Sequence, residues 1–153
     1  MPEYLETTVD KFTFRVATDR LYSTEGVWVL WVQPQGDSRI RVGLTDYLQQ
    51  HSGDVAFVHP KPVGTKLAAG DELAELETMK MILTLPSPIA GTVVEVNEVL
   101  DLTPEIVNQD PYDKGWLAVL KVENWEAEPA KLLEPPAYFS VMQSQVDEEL
   151  KQK

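Results

Sequence analysis

The chain has 153 residues, which fits one ordinary domain, and 43% of them are hydrophobic, enough for a folded core. Its 25 acidic and 13 basic residues give a net charge of −12, so its surface repels nucleic acids and anionic membranes. Cysteine is absent, which excludes disulfides, thiolate metal sites and a cysteine nucleophile.

Short apolar segments separated by 11 prolines and eight glycines predict a chain made mainly of β-strands. The predicted strands are Val27–Val32, Ser38–Val42, Val55–Val58, Leu73–Leu76, Met81–Leu85, Thr92–Val96 and Trp116–Glu123. A turn-rich loop at 33–37 joins the first two. The densest apolar run, Val27–Val32, has the length of a strand rather than of a membrane span, and the acidic N-terminus lacks the regions of a signal peptide. We therefore expect a soluble, cytoplasmic protein.

Two short helices are predicted between the strands. The first covers Asp46–Ser52, with Thr45 as its N-cap and Gly53 as a left-handed stop. The second covers Pro104–Gln109, with Thr103 as its cap, because proline is favourable at the first helical position. Both are connections within a mainly β domain.

After Pro135-Pro136 the apolar spacing becomes helical. The residues that share one face of this helix are Tyr138, Val141, Met142, Val146 and Leu150. We expect this face to pack on the body of the protein. The predicted organisation is therefore a domain at 1–125 and a C-terminal helical extension at 126–153 packed on it.

Two similar stretches lie on either side of a predicted turn at Glu77–Met81. Val63-Gly64-Thr65 and Ala90-Gly91-Thr92 each open a strand segment. A pseudo-repeat folded about that turn predicts a flattened barrel of two sheets.

The sequence contains no motif of a self-sufficient active site. His51 and His59 belong to no metal-ligand spacing, and no serine elbow or phosphate-binding glycine loop is present. A group of acidic residues lacks the spacing of an EF-hand and is interpreted as a solvated face rather than a calcium site: Asp71, Glu72, Glu75 and Glu77. We expect a protein without its own catalytic activity.

One short segment favours chemistry of another kind. Glu77-Thr78-Met79-Lys80-Met81 places a lysine between two methionines where two strands meet. An ordinary surface lysine is one interpretation. At a hairpin tip, however, the amine can be acylated by an external enzyme, which removes its charge and turns the side chain into a tether. A protein that works in this way needs no catalytic residues of its own.

A series of segments between Tyr22 and Val122 carries a family resemblance in one register. Glu77-Thr78-Met79-Lys80 is similar to a family motif E-S-V-K. The other segments are Gly43–Gln49 (family G-I-T-D-Y-A-Q), Gly53–Val58 (G-D-I-V-F-V), Ser87–Gly91 (S-P-V-S-G) and Asn108–Trp116 (N-x-x-P-Y-x-x-G-W). Together they resemble the lipoyl-carrying H protein of the glycine cleavage system and its H-like relatives, within the lipoyl/biotinyl carrier fold.

The resemblance implies a mainly β, flattened barrel or sandwich of the lipoyl/biotinyl carrier type, with short helices and a C-terminal helix. It implies that Lys80 accepts lipoate as a covalent cofactor and that Glu77, Thr78, Met79 and Met81 form the turn that the modifying enzyme recognises. The implied partners are a lipoate ligase or lipoyl-synthesis enzymes and a client oxidoreductase or transferase complex, without nucleic acid or membrane. We expect a monomer whose modified lysine swings between enzymes.

Departures from the family pattern leave alternatives open. Met79 and Met81 flank the lysine as in biotinyl carriers, so biotin and carboxyl transfer are one alternative. The family's H-E-W corresponds to Gly26-Val27-Trp28, and its acid four residues after the lysine corresponds to Thr84. Two carboxylates that would face a cationic aminomethyl group are therefore missing. We favour a carrier of sulfur intermediates in a heterodisulfide-reductase-like sulfur-oxidation system, with the aminomethyl-carrying glycine cleavage H protein as the alternative.

Overall fold

Strands dominate the chain in a computed structural model, which describes residues 3–32, 38–123 and 131–151. The strands are β1 (Tyr4–Val9), β2 (Phe12–Ala17), β3 (Leu21–Tyr22), β4 (Val27–Val32), β5 (Ser38–Leu44), β6 (Val55–Pro60), β7 (Lys66–Leu67), β8 (Glu72–Thr78), β9 (Ile82–Pro86), β10 (Gly91–Val96) and β11 (Ala118–Val122). The helices are α1 (Asp46–Ser52), α2 (Ile106–Gln109) and α3 (Pro135–Lys151), with a 3₁₀ turn at Glu98–Asp101. The loop predicted at 33–37 lies outside the described residues.

The strands of the described residues pair antiparallel and form three sheets. The largest has the order β3-β4-β5-β11-β10-β7, the second has the order β6-β8-β9, and β1 and β2 form a separate hairpin. Both larger sheets contribute to one core of buried aliphatic side chains, which includes Val42, Leu76 and Leu120. Burial of these side chains holds the two sheets together. The predicted flattened, mainly β sandwich is confirmed.

Hydrogen bonds join the segment before β7 to β10, beyond the base of the β8–β9 hairpin. The amide of Gly64 donates to the carbonyl of Val93 at 2.8 Å, and the amide of Val93 donates to the carbonyl of Thr65 at 2.9 Å. Nearby, the amide of Ser87 donates to the carbonyl of Asp71 at 2.7 Å. The base of the hairpin is therefore joined to the rest of the fold, and its turn lies at the other end.

Helix α1 begins and ends where the sequence predicts. The hydroxyl of Thr45 accepts a hydrogen bond from the amide of Leu48, as an N-cap does. Gly53 ends the helix with φ of +89°, a conformation that glycine adopts without steric cost, and its amide donates to the carbonyl of Gln49.

The predicted start of the second helix is wrong. Helix α2 begins only at Ile106, and Glu105 precedes it without a side-chain capping bond. The hydroxyl of Thr103 instead donates to the carbonyl of Val99 in the preceding 3₁₀ turn. A threonine side chain between two turns can hydrogen-bond to the backbone of either one, and here it bonds to the first.

The N-terminal hairpin β1–β2 is not among the predicted elements. Tyr4 lies opposite Ala17 at its open end, and Asp10 takes φ of +58° in its turn. Phe14 and Val16 are buried while Thr13 and Arg15 are more exposed, which is the period-two pattern of a half-buried strand. Strand β2 contacts both α1 and α3, so the hairpin forms part of their surroundings.

Helix α3 packs on the N-terminal hairpin and on β3. Three of the five residues predicted on its packing face are buried: Tyr138, Met142 and Val146. No helix in the described ranges is both long and apolar enough to cross a bilayer. The boundary between 1–125 and 126–153 falls outside the described residues, so that division stays a prediction.

Trp28 and Gly43 form a close cross-strand pair between β4 and β5. Trp28 is fully buried, and a Cβ atom on Gly43 would lie 2.5 Å from its ring atom Cζ2. The indole Nε1 donates to the carbonyl of Pro111 at 2.9 Å, and the guanidinium carbon of Arg20 lies 4.6 Å from the ring centroid. The ring is fixed on several sides, so it cannot move to accommodate a larger residue at position 43.

We predict that Gly43→Ala lowers the free energy of unfolding by about 1–3 kcal/mol, because the added methyl group overlaps the indole. Chemical denaturation of the purified chain measures the change. In a Trp28→Leu background the same substitution should lower the free energy of unfolding by less, since the obstructing ring is gone. An equal loss in both backgrounds would contradict this explanation.

Candidate functional site

Lys80 lies at the tip of the β8–β9 hairpin. Strand β8 ends at Thr78 and β9 begins at Ile82, so three residues form the turn between them. The amide of Thr78 donates to the carbonyl of Met81 at 2.9 Å and closes the turn. Lys80 itself is exposed to solvent. The sequence prediction of a lysine at a strand junction therefore corresponds to an exposed amine on a hydrogen-bonded turn.

The hydroxyl of Thr78 fixes the turn from inside. It donates to the carbonyl of Met81 at 3.1 Å and accepts the amides of Met81 at 3.0 Å and of Lys80 at 3.3 Å. One side chain thus contacts three backbone groups of the turn and satisfies two amides that would otherwise be left to water. Thr78 determines the backbone conformation from which the lysine side chain projects.

A second contact joins the turn to the C-terminal end of α1. The amide of Met79 donates to the carbonyl of Asp54 at 3.0 Å. The aliphatic part of Lys80 lies along Gly53, where an added Cβ atom would be 3.5 Å from the lysine Cγ and Cε atoms. The lysine therefore starts from a turn held on one side by β8 and on the other by the segment that follows α1.

The other residues of the predicted turn have different environments. Met79 is 80% exposed, and Met81 contributes its backbone groups to the turn. Glu77 lies on the outer face of β8, where its Oε1 is 3.9 Å from Nε2 of His59. The side chains of Glu77 and Met79 are thus accessible around Lys80, whereas Thr78 acts within the turn.

The acidic residues near β8 have separate partners. Glu72 forms an ion pair with Lys61 at 2.7 Å, and Asp71 accepts the amide of Ala68 at 2.8 Å. Among the described residues, no group of three or more histidine, aspartate or glutamate side chains is arranged to hold a metal ion. These residues form part of a charged surface.

A groove of about 610 Å³ begins beside Lys80, and we call it the lysine groove. Its three walls come from α1, the N-terminal hairpin and α3. The residues that line it include apolar ones on the hairpin and α3 and polar ones on α1: Val9, Phe12, Phe14, Val146, Leu150, Tyr47, Gln50 and His51. The sequence did not predict this groove, because one of its walls is the N-terminal hairpin.

Glu149 of α3 brings a carboxylate into the lysine groove. Its Oε1 accepts the Tyr47 hydroxyl at 2.7 Å and also contacts Nδ1 of His51. Burial raises the pKa of Tyr47, and the hydrogen bond to Glu149 raises it further, so the phenol stays neutral and remains a donor. Tyr47 and Glu149 are 102 residues apart, so no local sequence signal joins them.

The two positions that correspond to family acids lie elsewhere. Val27 is fully buried in the core between the sheets. Thr84 is exposed on β9, opposite Glu75 of β8. Neither residue lines the lysine groove. Within the described residues, the acids that line this groove are Asp54 and Glu149.

The sandwich fold with this hairpin defines a protein of the lipoyl/biotinyl carrier class. The family model for the glycine cleavage H-protein matches residues 20–145. A probable glycine cleavage system H protein of Thermococcus kodakarensis is 40% identical over 114 residues, which are 74% of this chain and 84% of the relative. The chain belongs to the glycine cleavage H-protein family.

Two mycobacterial proteins extend this comparison. The glycine cleavage system H protein of Mycobacterium tuberculosis is 46% identical over 94 residues, 61% of this chain and 70% of the relative. The crystal structure of a glycine cleavage system H protein from Mycobacterium marinum aligns with a TM-score of 0.69 at 30% identity, covering 79% of this chain and 94% of that one. Sequence and fold therefore agree on the family.

We predict that Thr78→Val accelerates hydrogen exchange of the Met81 amide, because that amide loses its acceptor. The unfolding free energy should fall by about 1 kcal/mol. Thr78→Ser retains the hydroxyl and serves as the matched control, and it should exchange almost as slowly as the unaltered chain. NMR-detected exchange measures both, and identical rates for valine and serine would show that the hydroxyl does not hold the turn.

Proposed function

We propose that this chain is a lipoyl carrier of the glycine cleavage system, with lipoate joined by an amide bond to Nζ of Lys80. The observation that carries the proposal is the position of Lys80, exposed at a turn that is held by Thr78 and Asp54, in a chain of the H-protein family. A rigid turn presents the same amine in the same place to each enzyme.

The residues around Lys80 fit a lipoyl group. The lysine groove starts where the aliphatic part of Lys80 lies along Gly53, and apolar side chains such as Phe12 and Phe14 line it. A volume of about 610 Å³ falls in the range of pockets that hold small ligands. When bound, the lipoyl group would supply a disulfide that opens to leave one sulfur bonded to the one-carbon unit and the other sulfur as a thiol. We propose that the modified side chain rests in this groove between visits to partner enzymes.

A carrier of this kind moves its cargo and leaves catalysis to its partners. Its modified lysine is a swinging arm that enters one active site after another. With a net charge of −12, the protein is attracted to basic surfaces around those active sites, and such contacts form fast and weaken with salt. Rapid, reversible contact is what a carrier needs, because a tightly bound one cannot cycle.

The groove also bears on the choice between an aminomethyl and a sulfur cargo. An aminomethyl group is a cation at neutral pH, and a cation beside apolar walls needs a carboxylate partner. Glu149 contacts Tyr47 and His51 through Oε1, and its second carboxylate oxygen can accept a hydrogen bond from a cation in the groove. Together with family membership, this carboxylate supports the glycine cleavage function over the sulfur-oxidation function that the sequence alone favoured.

Met79 and Met81 keep biotin as the alternative acyl group. The turn, however, is held by the Thr78 hydroxyl and by backbone groups, so its geometry does not depend on the methionine side chains. The family match, which covers residues 20–145, supports lipoate. The mass added to Lys80 distinguishes the two groups directly.

We predict that protein purified from its native host carries a lipoyl mass increment on Lys80, measured by intact-mass and peptide mass spectrometry. Lys80→Arg should lose the increment completely, because the guanidinium is not acylated, and should keep the melting temperature of the unmodified chain, because the side chain is exposed. A biotinyl mass increment would show that the attached group is biotin and not lipoate. A bare Lys80 in the native host would contradict the carrier function.

We predict that Phe12→Ser makes the reduced arm of the lipoylated protein react severalfold faster with a thiol reagent, because one wall of the lysine groove loses its apolar contact. The chain has no cysteine, so only the thiols of the arm react. Phe57→Ser, which alters an exposed phenylalanine outside the groove, is the control and should leave the rate unchanged. Equal rates in all three proteins would show that the arm does not rest against Phe12.

A further inference from the structure

The outer face of the β6-β8-β9 sheet carries an exposed apolar patch next to Lys80. Phe57, Glu77 and Ile82 lie directly opposite one another across the three strands. Phe57 is 58% exposed and Ile82 is 67% exposed. With Met79 at the tip they form what we call the sheet-side face: Phe57, Met79 and Ile82. Large apolar side chains grouped in this way on a protein surface indicate a contact site.

Acidic side chains lie within the sheet-side face. Glu75 and Glu77 project outward from β8, and Glu77 stands between Phe57 and Ile82. His59 stacks on Phe57 with ring centroids 6.2 Å apart and lies near Glu77. The face therefore combines exposed apolar side chains with carboxylates among them. A complementary partner has an apolar surface that also carries lysine or arginine.

The face and the lysine groove are formed by different residues around Lys80. The groove is lined by α1, α3 and the N-terminal hairpin, and none of the three residues of the sheet-side face contributes to it. A partner that contacts the sheet-side face leaves the lysine groove open. A partner that contacts the N-terminal hairpin covers the groove.

The short reach of the unmodified Lys80 side chain indicates which enzyme contacts the sheet-side face. An unmodified lysine reaches only about 6 Å from its Cα, the span of a few bonds of about 1.5 Å. The enzyme that acylates Lys80 must therefore bring its active site against the surface that surrounds the turn. An enzyme that uses the finished arm meets the far end of a longer tether and can remain farther away.

We propose that the sheet-side face is the docking surface for the enzyme that attaches lipoate to Lys80, and that this enzyme presents apolar side chains together with lysine or arginine. This inference rests on the proposed lipoyl-carrier function. The reaction that it serves is acyl transfer from lipoyl adenylate. Nζ of Lys80 bonds to the acyl carbon, the bond from that carbon to the phosphate oxygen breaks, AMP leaves, and the amine loses a proton.

The test measures initial rates of lipoylation of the full-length, unmodified chain by a lipoate–protein ligase supplied with ATP and lipoate, followed by intact mass. Phe57→Ser combined with Ile82→Ser should raise KM about tenfold and leave kcat nearly unchanged, because both residues act in docking. Val63→Ser is the matched control. Val63 is 60% exposed, and it follows the end of β6 that is remote from the turn.

A second measurement tests the acidic residues of the face. KM of the unaltered chain should rise with salt, and Glu75→Gln combined with Glu77→Gln should flatten that dependence. Glu95→Gln, an exposed acid on β10 in the other sheet, is the control and should keep it. The same steep salt dependence in the Glu75/Glu77 double variant would show that these acids take no part in docking.

Acylation of Lys80 by a small activated ester separates docking from damage to the turn. The Phe57/Ile82 double variant should react with the ester as fast as the unaltered chain, while the ligase reaction slows. If the ligase KM is unchanged in the double variant, or rises only in Phe12→Ser on the groove side, the docking proposal is overturned and the carrier function stands. An unaltered chain that the ligase cannot modify at all would overturn the carrier function as well.

Discussion

The hydrogen bond from the Met79 amide to the Asp54 carbonyl is the contact on which the position of Lys80 depends. It joins the hairpin tip to the segment after α1, and Thr45 caps that helix at its other end. The hydroxyl of Thr45 in turn shares a 3.0 Å hydrogen bond with the hydroxyl of Tyr138 on α3. Hydrogen bonds and helix α1 thus connect the turn that carries Lys80 to the buried interior of the protein. In the proposed carrier function, this fixed origin presents Lys80 to each enzyme in the same place.

Sequence reasoning succeeded where the information is local. The bounds of α1, its cap at Thr45 and its stop at Gly53 follow from neighbouring residues, and so does the junction that carries Lys80. It failed where a residue had two local choices, as Thr103 did. The lysine groove could not be predicted from the sequence, because Tyr47 and Glu149 become neighbours only when α3 packs against the rest of the chain.

The surroundings of Lys80 divide into two surfaces with different chemistry. On one side the groove is enclosed and combines apolar walls with the carboxylate of Glu149. On the other side the open face around Phe57 and Ile82 offers apolar area to a partner. In the proposed carrier function, this division gives one lysine both a sheltered site for the cargo and a surface that enzymes can contact. Neither surface has to change for the other to work.

The N-terminal hairpin forms one wall of the groove although it precedes residue 20, where the family match begins. Hydrogen bonds join it to α1: the amide of Arg15 donates to Asp46 at 2.9 Å, and the side-chain amide of Gln50 donates to the carbonyl of Thr13 at 2.9 Å. Phe14, which lies between Thr13 and Arg15 in the strand, is buried. This wall is therefore anchored on α1 by polar bonds as well as by apolar packing, which gives the groove a defined width.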